Sequence, residues 1–176
     1  SYAATFFNTD FTSLFTSTDV RNIFLNAYRA PETSYRARIS RKWSFAFSSD
    51  HSLMRSAEMI LIEAEGLART GNDSGAAALL FALQSNRDSA ATASGNTGTA
   101  LIEEILVEKR KELYGEPPAV EWFDAKRLGR GIPRTGNARL KGQYALTAND
   151  KRFFLKVPKR EIDANDNITD AVNDGR

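Results

Sequence analysis

From Leu53 onward the apolar residues fall at helical spacing, and two such stripes meet across a single turn signal. Leu53, Ala57, Ile60, Leu61, Ala64 and Ala68 form the first stripe, with Gly71 just past its end and Ser49, Asp50 or Ser52 available to cap its start. After Gly71-Asn72-Asp73 the spacing predicts a second helix over 74–88 that buries Ala77, Leu80, Phe81 and Leu83. Two amphipathic helices joined by so short a link must fold back on one another as a hairpin. Small residues at Ala64, Gly66, Ala68 and Ala76 to Ala78 allow their backbones to approach closely.

The pattern continues. Ser89 to Gly98 is polar, Thr99 can cap a third helix over 100–114, and Ile102, Ile105, Leu106 and Leu113 form its apolar stripe. Glu103 and Glu104 open that helix while Lys109, Arg110 and Lys111 lie toward its end, as the helix dipole favours. Gly115 and Pro117-Pro118 stop it. A shorter amphipathic segment, 119–128, carries Trp122 and Phe123. No repeat of about 34 residues is evident, so a tetratricopeptide array is not written in the sequence itself. The expected fold is mainly α, with tetratricopeptide-like helical hairpins, a short strand or hairpin, and long loops.

The flanks read differently. Residues 1–18 hold no lasting period beyond one short helical turn, but Phe6, Phe7, Phe11 and Phe15 would each forgo roughly 1.5–3 kcal/mol if left in water. They are expected to pack on the later helices or on chain beyond this sequence. Over 35–48 the alternation is nearly strict, with Tyr35, Ala37, Ile39, Trp43, Phe45 and Phe47 on one side and Arg36, Arg38, Ser40, Lys42, Ser44 and Ser48 on the other. That predicts a half-buried strand. Residues 129–150 form a long Gly-, Arg- and Asn-rich excursion, 152–157 suggest a strand closed by Pro158, and 163–176 an extended, partly mobile tail. The whole reads as one region: irregular chain plus strand over 1–50, a helical core over 51–128, then loop, strand and tail over 129–176.

Composition removes several chemistries. The 176 residues hold no cysteine, which excludes disulfides, thiolate metal sites and a cysteine nucleophile. A net charge of +2 gives no general pull toward nucleic acid, and the strand period would part Arg36, Arg38, Arg41 and Lys42 from the rings that a nucleic-acid platform needs beside them. Arg55, Glu58, Glu63 and Glu65 could be read as paired carboxylates for glycoside hydrolysis, but ion pairing along and between helices explains them more simply. Glu108 with Lys111, and Lys109 with Glu112, fit surface i,i+3 pairs. Trp122 and Phe123 could stack on a sugar, though an anchor role in packing is favoured, as it is for Trp43. Tyr144, in the excursion, is better placed for a ligand or partner. Asp163, Asn165 and Asn167 mimic a calcium loop, but Ile168 stands where glycine is needed. His51 has no second histidine or cysteine with which to share a transition metal.

Three blocks follow in order: the helix Leu53 to Glu65, then Glu108 to Glu116 with Trp122 to Arg127, then Val157 to Asn165, and Asp19-Val20-Arg21 stands upstream of them. Together they resemble the C-terminal region of the SusD/RagB family of nutrient-binding lipoproteins. Met54, Arg55, Ala57, Glu58, Leu61, Ala64 and Glu65 stand at matching places in the first block, and Asp19-Val20-Arg21 is similar to the family's upstream DxR element. Between Glu116 and Trp122 this chain has Pro117, Pro118, Ala119, Val120 and Glu121, a run two residues longer than the family's and without its arginine.

The resemblance implies a non-catalytic protein of the outer-membrane surface that binds an oligosaccharide or other nutrient for a SusC-like TonB-dependent transporter. It implies no catalytic residue, cofactor, metal or nucleic acid. It names no ligand-binding residue in this chain, and it puts the lipid anchor and much of the ligand site in an N-terminal part outside this sequence. It also suggests that Met54 and Trp122 lie on neighbouring helices. The other reading left by the residues is a helical-repeat adaptor that grips a protein or peptide.

Overall fold

A computed structural model of the chain describes residues 6–42, 52–116, 120–137 and 145–174. Two compact units emerge, one of residues 1–121 with 135–139, the other of residues 122–134 with 140–176.

In the first unit, helices α2 (Ser56–Arg69), α3 (Asp73–Ser85) and α4 (Gly98–Leu113) all pack on one another. Leu61, Leu80, Leu101 and Ile105 are fully buried among Ala57, Ala64, Ala68 and Ala76, whose small side chains let the helices close up. The turn between α2 and α3 is fixed locally. Gly71 takes a φ of 86° and donates to the Ala68 carbonyl, and Asn72 donates to the Leu67 carbonyl, so the last orphan carbonyls of α2 are satisfied. Asn72 then caps α3 by accepting from the Gly75 amide at 3.1 Å. Thus one Gly-Asn pair ends one helix and starts the next.

Helices α2 and α4 start at different places from the expected ones. Arg55, without a side-chain cap, precedes α2, and Leu53 is 73% exposed rather than in the core. Ser49 and Asp50 lie outside the described residues, and Ser52 bonds the Met54 carbonyl instead of capping. Thr97 rather than Thr99 precedes α4, and Asp73 accepts from the Gly98 amide at 3.0 Å, so a cap comes from another helix. Phe81, Ile102 and Leu106 are half-buried.

The early phenylalanines do find the later helices. Phe11 and Phe15, in and just after the short helix α1 (Thr9–Thr12), are buried with Tyr114 at the end of α4, and Phe7, Leu14 and Phe24 close over them. The rings meet mostly edge to face, with centroids 5.1 Å apart for Phe11–Tyr114 and 5.4 Å for Phe11–Phe15.

Over its described part, residues 35–42, the expected strand is not continuous: only β2 (Ile39–Ser40) is extended there, paired antiparallel with β1 (Phe24–Leu25). Tyr35 to Ala37 are instead turned: Ala37 donates to the Ser34 carbonyl, and the Arg36 amide to the Ser34 hydroxyl, bonds that draw the backbone off the ladder. Trp43, Phe45 and Phe47 lie outside the described residues.

In the second unit Ala125, Leu146 and Phe153 form a small core with Trp122 and Ile132 against it. Most of α5 (Val120–Arg127) belongs here. Ile132 and Leu146 exchange backbone hydrogen bonds of 2.9 and 3.0 Å. A Cβ at Gly131 would overlap the Leu146 carbonyl oxygen. Gly131→Ala is therefore expected to part this bridge at a cost of about 1–3 kcal/mol. Hydrogen exchange would register it as faster exchange at the Ile132 and Leu146 amides; unchanged protection would refute the clash.

The strand expected over 152–157 is absent. Residues Lys151–Phe153 form a 3-10 turn, capped where Asp150 accepts from the Arg152 amide at 2.9 Å. Val157 has ladder-like bonds, but they come from a side chain: Asn173 accepts from its amide at 2.8 Å and donates to its carbonyl at 3.0 Å. Pro158 then precedes α6 (Lys159–Ala164) rather than merely closing a strand. The tail is likewise not simply extended, since Asp170–Asn173 form a second 3-10 turn and Lys159 pairs with Asp163 and Asp170.

Candidate functional site

Along α4 the core-facing line changes chemistry. Leu101 and Ile105 are followed on the same stripe by Glu108 and Glu112, at offsets of one and two further turns, and both acids are buried. A buried carboxylate is costly unless paired, so cations must reach it. They arrive from four places outside α4 and from Lys111 on α4 itself.

Arg21, from the turn before β1, donates to both oxygens of Asp19 at 2.9 and 2.8 Å and to Glu112 at 2.9 Å. Its Nη2 also lies 2.7 Å from Glu108 Oε1, at ion-pair distance without hydrogen-bond alignment. Arg55, the residue before α2, holds Glu112 at 2.7 Å and forks onto Glu116 at 2.9 and 2.8 Å. Arg87, just past α3, forks onto Glu112 at 3.1 and 3.0 Å. Lys42 pairs with Glu116 at 2.5 Å and donates to the Glu112 and Tyr114 carbonyls. Lys111 completes the lattice by reaching Asp19 at 3.0 Å and Glu108 at 3.5 Å.

Burial would raise the Glu112 carboxyl, but the hydrogen bonds from Arg87 and Arg55 overcome it and hold the group at about 2. Asp19 and Glu116 are lowered in the same way, burial being outweighed by Arg21 and by Arg55 with Lys42. Nearby, Asp88 is held at about 2 by the hydroxyls of Thr16 and Thr18 and by the Ala90 amide. Burial lowers Lys42, against the pull of Glu116. A glycosidase pair needs one carboxylic acid that keeps its proton near neutral pH, and these groups are driven the other way. Glu112, Asp19 and Glu116 are thereby held as charged partners of the surrounding cations. The lattice rims a concavity of about 280 Å³ lined by Arg21, Lys42, Arg55, Arg87, Glu112 and Tyr114, together with Val20 and Ile23.

Several sequence-based assignments change here. Glu108 and Lys111 do pair at i,i+3, but not at the surface: with Glu112 they are buried members of one lattice, because their helix face is the core face. Arg55 holds a neighbouring helix, as ion pairing suggested, whereas Glu65 is taken by Arg69 at 2.7 Å and Glu63 is exposed. The basic run around residue 38 is dispersed: Arg36 stacks on Tyr35 at 5.4 Å, Arg38 pairs with Glu32 at 3.0 Å, and Lys42 joins the lattice. Arg36 and Tyr35 thus share one side, because the chain turns where alternation had predicted a strand.

Trp122 packs on Phe153 with centroids 4.7 Å apart, but Phe123 is 55% exposed. Met54 is 75% exposed, and α2 packs on α3 and α4 while Trp122 packs within the second unit; the two runs each find partners in their own unit. Asp163 is paired with Lys159, and Asn165 accepts from the Asn167 amide at 3.0 Å. His51 and Tyr144 lie outside the described residues. Asp19 and Arg21, central to the lattice, carried only minor weight in the sequence.

Fold and site together define a helical-hairpin scaffold latched by buried ion pairs, and no described helix is long and apolar enough to cross a membrane. The SusD family model matches residues 28–175, so the chain belongs to the SusD family. Its structure is similar to that of a SusD-like carbohydrate binding protein from Bacteroides vulgatus ATCC 8482, at 24% sequence identity and a TM-score of 0.73. That similarity covers 92% of this chain and 40% of the other, so the chain spans less than half the length of that relative. No curated protein matches.

Proposed function

We propose that this chain serves as the C-terminal region of a longer glycan-capture protein at the outer-membrane surface, which binds nutrient without turning it over. It would hand that nutrient to a SusC-like TonB-dependent transporter and be held at the membrane by a lipid on chain outside this sequence. The observation that carries the reading is the lattice around Glu112: three arginines and an acid held at about 2 suit a rigid brace and not an acid catalyst. Family membership and the name of the solved relative point the same way.

Isothermal titration of the protein expressed from its full reading frame, against a panel of oligosaccharides, tests capture. Saturable binding to at least one glycan is expected, with the glycan recovered intact by chromatography. Cleavage products, or no binding across the panel, would overturn the reading. The partnership is tested separately by affinity purification from outer membranes, where a co-purifying TonB-dependent barrel is expected and its absence would remove that part.

A further inference from the structure

The lattice is not balanced at its mouth. Among the described residues its ion-paired members are five cations, Arg21, Lys42, Arg55, Arg87 and Lys111, against four carboxylates, Asp19, Glu108, Glu112 and Glu116. Four of the cations line the concavity, and Glu112 is the one acid among the described residues that does. The excess is felt most at Arg87, because its only carboxylate partner among the described residues is Glu112, which Arg21 and Arg55 also hold.

The donors tell the same story. Arg87 spends Nε and Nη2 on Glu112, and its Nη1 makes no hydrogen bond to the described residues. Arg55 and Arg87 both donate to the same oxygen, Glu112 Oε1, at 2.7 and 3.0 Å, so two guanidiniums converge at one spot. Their side chains remain 28% and 30% exposed. Beside them Val20 presents an apolar rim that is 67% exposed. At about 280 Å³ the space is at the small end for ligand sites, suited to one sugar ring rather than a peptide strand.

We propose that this concavity is a subsite for the carboxylate of an acidic sugar residue, a hexuronate within the captured glycan. The carboxylate accepts from the spare N–H groups of Arg87 and Arg55, and the ring lies against Val20. This rests on the capture reading and names the glycan class it favours.

The test compares oligogalacturonate, its methyl ester and a neutral glucan oligomer by titration of the full-reading-frame protein. The free acid is expected to bind at least about tenfold more tightly than the ester, as loss of a charge-assisted contact predicts. Val20→Glu sets a negative charge on the rim, so it should weaken the acid several-fold more than it weakens the uncharged methyl ester. Arg87→Gln should erase the preference for acid over ester, with circular dichroism confirming the fold. Equal affinity for acid and ester, or a Val20→Glu protein that binds the acid as wild type does, overturns the subsite while capture stands. Failure to bind any glycan removes both.

Discussion

Replacing Glu112 with Gln is expected to cost about 3–5 kcal/mol of stability, the cost of breaking a buried ion pair on one side, and to lower Tm by roughly 10 °C. Glu112 is only 3% exposed, and without its charge Arg21, Arg55 and Arg87 would face one another with their shared carboxylate gone. The glutamine keeps the shape and one acceptor but turns the other into an N–H donor facing guanidinium N–H groups, so the loss reports the charge together with the bonds that oxygen accepted. Glu32→Gln, at a pair in which the acid is 58% exposed, provides the contrast and should cost no more than about 1 kcal/mol. A double-mutant cycle with Arg87→Gln should show the two substitutions costing less together than their separate effects predict, by about 1 kcal/mol or more. Urea unfolding measures all of these, and a Glu112→Gln protein as stable as wild type would show that the lattice does not brace the helices.

Acid should undo the same brace. The folded Glu112 carboxyl, at about 2, is depressed from its ordinary value of 4.5, so in the unfolded chain it takes up a proton that the folded chain refuses. Its stabilisation is therefore fully present above about pH 5 and is lost as pH falls toward about 2, a change of about 3 kcal/mol. Asp19 and Glu116 are depressed as well and add to the loss in the same direction. Urea midpoints taken at intervals from pH 6 down to pH 3 should fall steeply for wild type. The Glu112→Gln protein, which has no carboxyl to protonate there, should give a visibly shallower slope; parallel slopes would mean that Glu112 is not the group responsible.

Both predictions rest on residues whose role the sequence concealed only in part. A stripe drawn through Leu101 and Ile105 leads directly to Glu108 and Glu112, so the burial of those acids is written in the helical period. Charge alone favours the surface, and only cations brought from other parts of the chain let these acids stay on the core stripe. The strand expected over 152–157 and the described part of the long alternation, 35–42, fail for another reason. Alternation describes which way side chains would point in a strand, but a strand also needs a neighbour for its backbone. Residues 35–37 turn on Ser34 instead, and Val157 is partnered by the amide of Asn173.

By itself the sequence determined what depends on neighbours a few residues apart: the three helices of the core, the Gly71-Asn72 turn that folds two of them together, and the motifs that place the chain in its family. Tertiary structure alone decided which cations meet the acids of α4. Arg21 and Glu112 stand 91 positions apart, and Arg55 and Glu112 57. No period or propensity carries information over such distances, because an ion pair forms only where packing has already brought its two side chains out of water and within reach.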